Sequence, residues 1–108
     1  VRPISHPPLK DITVQGILHA LSDPVRVGIF VELVRVACPK NCATFANIRK
    51  TPLPKSTLSQ HFKVLREAGL IRSERKGVEL QNRVRGEDLK KRFGPLIKAI
   101  LKAYENEA

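Results

Sequence analysis

Apolar residues recur along the chain at two different spacings, and the change from one to the other marks out its elements. Val14, Ile17, Leu18 and Leu21 fall at helical spacing, which predicts a first helix beginning near Thr13. Ser22-Asp23-Pro24 then supplies a stop, a capping side chain and a proline suited to a first helical turn. A second helix is therefore expected, with Val25, Ile29, Phe30, Leu33 and Val34 on one face and Arg26, Glu32 and Arg35 on the other, ending near Ala37 because Pro39 cannot continue it. Residues 43–50 read as a short helix with Phe45, Ala46 and Ile48 turned inward, closed by the stiff linker Thr51-Pro52-Leu53-Pro54. Residues 55–68 read as the next helix, with Leu58, Phe62 and Leu65 as its buried stripe and Gly69 in the favoured position just past its end. The arrangement is helix, tight turn, helix.

After Gly69 the period shortens. Val78, Leu80 and Val84 alternate with Glu79, Gln81 and Arg83, and Lys76-Gly77 sits where a hairpin would reverse, so residues 70–75 and 78–84 are expected to form two antiparallel strands. Helical spacing returns over residues 87–105 through Leu89, Phe93, Leu96, Ile97, Ile100, Leu101 and Tyr104, with Gly94-Pro95 expected to kink or split the segment. The class is α+β, mostly helical, with a two-stranded hairpin. Residues 1–12, with Pro3, Pro7 and Pro8 and no periodicity, read as an arm ahead of one domain over residues 13–108.

Composition changes the picture in two ways. Leu, Ile, Val and Phe make up 34 of 108 residues, enough for a real core. Seven large apolar residues on the last helix nevertheless exceed what so small a domain can cover, and the first helix offers a matching stripe. Self-association through Ile17, Leu18, Leu96, Ile97, Ile100, Leu101 and Tyr104 is the expected outcome. The second change is charge: 20 Lys and Arg stand against 10 Asp and Glu, a net +10, which points to a polyanionic partner. Residues 49–85 hold ten of the basic residues and three of the acids, so +7 of that charge surrounds the helix-turn-helix and hairpin.

With Leu58 set to zero and about 100 degrees per residue, Phe62 and Leu65 fall within about 40 degrees of it, while Ser56, Gln60 and Lys63 lie on the opposite side and Ser59 at its edge. Such side chains can donate to phosphates or read base edges, or simply form a solvated face. Arg72, Arg75 and Lys76 of the hairpin would project beside this helix, where a basic loop can track a nucleic-acid backbone or enter a minor groove.

Two stretches now stand out, Ala20-Leu21-Ser22-Asp23-Pro24-Val25-Arg26 and the run from Ser56-Thr57-Leu58-Ser59-Gln60-His61-Phe62-Lys63 through Val64-Leu65-Arg66-Glu67-Ala68-Gly69-Leu70-Ile71. They resemble the signature stretches of the ArsR-type winged helix-turn-helix repressors, and the resemblance covers roughly residues 13–104. It implies that the helix from Lys55 enters a DNA major groove, that the hairpin is the wing, and that the first and last helices form a homodimer on a pseudo-palindromic operator. It also carries Ser56, Thr57, Ser59, Gln60 and Lys63, beside Lys55 at the helix start, onto base- and phosphate-contacting positions. His61 lies in the same motif, but its angular position marks it as a helix-packing residue. The alternative is a winged-helix module that binds RNA or protein without operator specificity.

The family's thiol-type metalloid sites place two cysteines one residue apart, whereas Cys38 and Cys42 here are four apart around Pro39-Lys40-Asn41. They are candidates for reversible oxidation or for a thiophilic ligand, against the plainer reading of two structural thiols. The Asp and His pattern of the family's other metal site is missing from the last helix, and a zinc site built from His6 and His19 is not expected. No catalytic motif is recognisable, so a non-enzymatic protein without cofactor is expected, with double-stranded DNA and a second copy as partners and a small inducer or oxidant as the signal. No apolar run is long enough to span a membrane, and a cytoplasmic location is expected. Met is absent, so the encoded start is expected to precede Val1.

Overall fold

The computed structural model describes residues 4–35, 40–41 and 53–107. A single 3-10 turn, Leu9–Asp11, leads into α1 (Val14–Ala20) and α2 (Pro24–Arg35), followed by β1 (Lys40–Asn41), α3 (Lys55–Glu67), β2 (Ile71–Lys76), β3 (Glu79–Val84) and α4 (Gly86–Glu107). The expected helix over residues 43–50 and both cysteines lie outside the described residues.

Each boundary has a local cause. Thr13 caps α1, its hydroxyl accepting from the Gly16 amide. Asp23 caps α2, one carboxylate oxygen accepting from the Val25 amide at 2.7 Å while Pro24 takes the first helical position, where its missing N–H costs nothing. At the end of α3, Gly69 adopts φ +84°, and the Gly69 and Leu70 amides bond back to the Arg66 and Leu65 carbonyls. The turn leaves so little room that a Cβ on Gly69 would lie 2.5 Å from Cγ1 of Ile12.

β2 and β3 pair in antiparallel register from Ile71 opposite Val84 to Lys76 opposite Glu79. The turn is Gly77-Val78, one residue later than expected; Gly77 at φ +64° occupies the first central position, where a two-residue loop needs a positive φ. Val78 at the tip is 98% exposed. The two-stranded expectation also missed β1: Lys40 and Asn41 pair with Asn82 and Gln81, giving the order β1-β3-β2. Two residues carry no period, so the pattern of apolar positions could not reveal that strand.

The core lies where the buried faces of α1, α2, α3 and α4 meet the start of β2, and Ile17, Leu21, Ile29, Phe30, Leu58, Phe62, Leu65, Leu70, Ile71, Leu89 and Phe93 fill it. The expected break at Gly94-Pro95 is absent, because α4 runs unbroken through Pro95. Pro95 and the residue one turn earlier, Lys91, are both exposed, so the carbonyl that the proline leaves without its helical donor faces water. Two side chains fasten α4 along the N-terminal elements: Arg92 donates to the Leu9 carbonyl and the Tyr104 hydroxyl to the Leu21 carbonyl. α4 therefore runs in the same direction as the turn and α1 beside it.

That packing corrects part of the expected self-association surface. Ile17 is 0% and Ile97 8% exposed, both consumed by the chain's own core. The apolar stripe read on α1 is really two faces, with Ile17 and Leu21 turned inward and Val14 and Leu18 turned out. Leu96, Ile100, Leu101 and Tyr104 pack on the core but stay half-buried.

Candidate nucleic-acid interface

The buried stripe of α3 is the one its spacing predicts: Leu58, Phe62 and Leu65 point into the core. With that face held, Lys55, Ser56, Thr57, Ser59, Gln60 and Lys63 are all exposed. Among the described residues none of these six makes an ion pair, and none commits its side chain to an internal hydrogen bond. A rigid helix thus presents a row of uncommitted donors and acceptors, the kind of surface that can match base edges and phosphate oxygens.

Arg26 fixes the angle at which α3 is held. Its guanidinium donates to the Ala20 carbonyl at 2.7 Å and the His19 carbonyl at 3.1 Å, satisfying the open end of α1, and lies 3.8 Å from Asp23. The same group reaches Nδ1 of His61 on α3 at 3.4 Å. One side chain therefore joins the end of α1, the start of α2 and the middle of α3. His61 is half-buried and turned toward this contact, as its angular position suggested. The Asp23 carboxyl is pushed up by partial burial, but the Val25 and Arg26 amides, with the His61 and Arg26 charges, outweigh this and hold it below its ordinary 3.8.

The wing divides its charges between two faces. Along β2 and β3, Ile71, Ser73 and Arg75 share one face with Val84, Asn82 and Leu80, while Arg72, Glu74 and Lys76 share the other with Arg83, Gln81 and Glu79. Arg75 and Lys76 sit together near the tip but on opposite faces. Arg72 is not at the tip: it lies near the base, directly opposite Arg83. Arg83 is paired with Glu74 at 3.4 Å, whereas Arg72, Arg75 and Lys76 have no ion pair among the described residues. The exposed wing cations Arg72, Arg75 and Lys76, like Lys55 and Lys63 on α3, are charges left unneutralised among the described residues.

Sequence reasoning missed two residues here. Arg26 was legible only as part of a motif, since nothing in the pattern says which carbonyls it meets. His6, which the sequence offers only as a metal ligand, accepts through its Nε2 from the Ser73 amide of β2 at 2.9 Å. Among the described residues no grouping of His, Cys, Asp or Glu could hold a metal ion, and no helix is long and apolar enough to cross a membrane.

A helix that is polar outward, followed by a basic antiparallel hairpin, is the arrangement of a winged helix-turn-helix protein. The sequence pattern of the helix-turn-helix domain family matches residues 21–74, half of the chain, and the chain belongs to that family. Its fold is shared with ArsR-family regulators. The homodimeric winged helix-turn-helix DNA-binding domain Mb0332 from Mycobacterium bovis, a possible ArsR-family transcriptional regulator, superposes with a TM-score of 0.64 at 22% identity, covering 87% of this chain and 79% of that one. An ArsR-like transcriptional regulator from Rhodococcus is 26% identical with a TM-score of 0.57, over 87% of this chain and 91% of its own. The transcriptional repressor BigR from Xylella fastidiosa is 24% identical with a TM-score of 0.62, over 84% and 85%. No curated protein matches the chain by sequence.

Proposed function

We propose that the chain is a sequence-specific DNA-binding repressor that acts as a homodimer on a pseudo-palindromic operator. The observation that carries this reading is the outward face of α3, where Ser56, Ser59, Gln60 and Lys63 stand exposed, without partners among the described residues, on a helix locked from behind by Leu58, Phe62 and Leu65. In this reading α3 lies in the major groove, Gln60 and its neighbours read bases, and Lys55, Lys63 and the wing cations Arg72, Arg75 and Lys76 hold phosphates. The second copy covers the apolar surface left over by the core. Leu9, Val14 and Leu18 are exposed on the N-terminal elements, and α4 runs parallel beside them with Leu96, Ile100 and Leu101 half-buried. Two α3 helices in such a dimer would enter successive major grooves about 34–36 Å apart.

Release by a thiol signal belongs to the same reading. Cys38 and Cys42 bracket β1 in sequence, and the β1 backbone pairs with β3 at Gln81 and Asn82. Oxidation of the two thiols to a disulfide by a peroxide-type oxidant, which takes up the two electrons and two protons, or capture of a thiophilic ligand, would bear on the middle of β3 through that pairing.

The test compares two kinds of substitution on operator and random duplex, the operator being found by footprinting DNA upstream of the protein's own gene. Gln60→Ala should cost about 1–3 kcal/mol on the operator and little on random DNA, lowering the specificity ratio. Replacing Arg75 and Lys76 together by Ala should weaken both duplexes alike and flatten the salt dependence by about 0.9 in log-log slope for each phosphate no longer neutralised. Equal losses on both duplexes for Gln60→Ala would mean that α3 does not read sequence, and would favour an RNA- or protein-binding module.

A further inference from the structure

Among the described residues β2 has β3 on one side only, since the sheet order is β1-β3-β2. Its outer edge would leave amides without partners, and the N-terminal arm meets that edge. The Ser73 amide donates to Nε2 of His6 at 2.9 Å. Ser73 is itself a junction: its hydroxyl accepts from Arg66 of α3 at 3.2 Å and donates to Oδ1 of Asn82 on β3 at 2.6 Å. The arm is fastened further along by Arg85, which donates to the Pro7 carbonyl at 2.8 Å. Ile4, Ser5 and Pro7 line a groove of about 490 Å³ whose other wall is Lys63, Arg66 and Glu67 of α3. Arm, wing edge and the C-terminal half of α3 thus meet at one buried serine.

We infer that His6 is a positioning residue for the DNA-binding surface: as a neutral imidazole it straps the arm across the edge of the wing and keeps β2 in register with α3, and its protonation releases the strap. The inference rests on the DNA-binding reading and adds a proton dependence to it. A nitrogen that accepts a hydrogen bond carries no proton, so the one proton of the bound imidazole sits on Nδ1. Protonating Nε2 sets two N–H groups against each other and places a further cation among Arg66, Arg72 and Arg85. The nearby acids do not offset this. Glu74 on β2 is already paired with Arg83, Asp88 with Arg85, and Glu67 across the groove has Lys63 and Arg66 beside it.

The electrostatic surroundings act in the same direction. Burial, then the charges of Arg72, Arg66 and Arg85, hold the His6 pKa below its ordinary 6.5, with Glu74 pulling weakly the other way. Because the folded state binds this proton less readily than the unfolded chain, the strap's contribution is full above pH 6.5 and is lost as the pH falls through the lowered value. Without the strap, Ser73 loses its amide partner and the wing is no longer tied to the arm.

The sign of the effect on DNA makes it testable. Acidification adds positive charge to the protein, which by itself tightens binding to any duplex. Release of the strap does the reverse. Binding to a random duplex would be followed by fluorescence anisotropy from pH 7.5 to 5.5 at fixed ionic strength, with the full chain, His6→Gln and His6→Ala. Nitrogen and amide shifts of His6 and Ser73 would be followed by NMR over the same range. Expected is a loss of affinity of about fivefold or more for the wild type on acidification, the low end of typical coupling between sites. His6→Gln, whose carbonyl can accept but not titrate, should bind as the wild type does at pH 7.5 and lose nothing at 5.5. His6→Ala should be weakened at both. Co-titration of the Ser73 amide with the His6 ring should accompany the wild-type loss. The same pH profile in wild type and His6→Gln, or a Ser73 amide that ignores the His6 titration, would overturn the inference while leaving DNA binding intact. Co-titration of the two signals in a protein that binds no duplex at any pH would instead remove the DNA reading, and with it the positioning role, while the strap itself stood.

Discussion

Replacing Gly69 by Ala tests how tightly the arm is wedged against the end of α3. The residue sits at φ +84°, so any L side chain there adopts the left-handed region at a cost of roughly 1–2 kcal/mol. The new methyl would also lie 2.5 Å from Cγ1 and 2.6 Å from Cδ1 of Ile12, closer than real carbon contacts allow. Ile12 is fully buried, so it cannot swing into solvent, and forcing such overpacking costs typically about 1–3 kcal/mol more. Gly77 is the control, with φ +64° and nothing within 4 Å of the added Cβ, so Gly77→Ala carries the conformational cost alone. The two variants should therefore differ by about 1–3 kcal/mol, or several degrees in melting temperature for a domain of this size. Urea denaturation at one fixed protomer concentration measures this, the fixed concentration being needed because association also stabilises. Equal losses for the two alanines would show that Ile12 yields without cost, and that the arm is not packed at α3 as described.

Two further outcomes are expected. Leu18→Asp and Ile100→Asp, both at apolar positions outside the fully buried core, should each shift a dimer to monomer in sedimentation at micromolar concentration while the domain stays folded; a folded wild type that sediments as a monomer removes the dimer and the palindromic site together. Asp23→Ala should cost about 0.5–2 kcal/mol at pH 7 through loss of the α2 cap. Since the Asp23 carboxyl is held below 3.8, its contribution is full above that pH and disappears as the pH falls through the lowered value, so the stability gap to Asp23→Ala should narrow toward pH 3 and a constant gap would rule the cap out.

The regular elements were legible because their apolar residues repeat. The spacing of Leu58, Phe62 and Leu65 located the inner face of α3, and by subtraction the outer one. What the pattern could not supply was the identity of the neighbour. It marked Ile17 and Leu18 alike as apolar, and only packing decides that Ile17 enters the core and Leu18 stays outside. It placed Arg72 with Arg75 and Lys76 as wing charges, whereas strand alternation under the true register separates them into two faces. His6 gave no signal at all, because its partner is a backbone amide 67 residues away. Pro95 misleads for a related reason: a proline breaks a helix through its local chemistry, but here the lost bond falls on the solvent side and α4 is anchored on either side of the proline by Arg92 and Tyr104.

Those two anchors have a consequence for how the protein is made. Arg92 to Leu9 and Tyr104 to Leu21 each span 83 residues, and Arg85 to Pro7 spans 78. A nascent chain emerging from the ribosome can build α1, α2 and α3 in turn, but Leu89, Phe93 and Ile97 are supplied only by α4. Until that helix clears the exit tunnel, the core lacks one of its walls, and the closing step must pay its loop entropy all at once. Vectorial synthesis therefore leaves this core open until α4 arrives, so the reading head and the Arg26 contacts that set its angle are made early and the wall behind them is closed late.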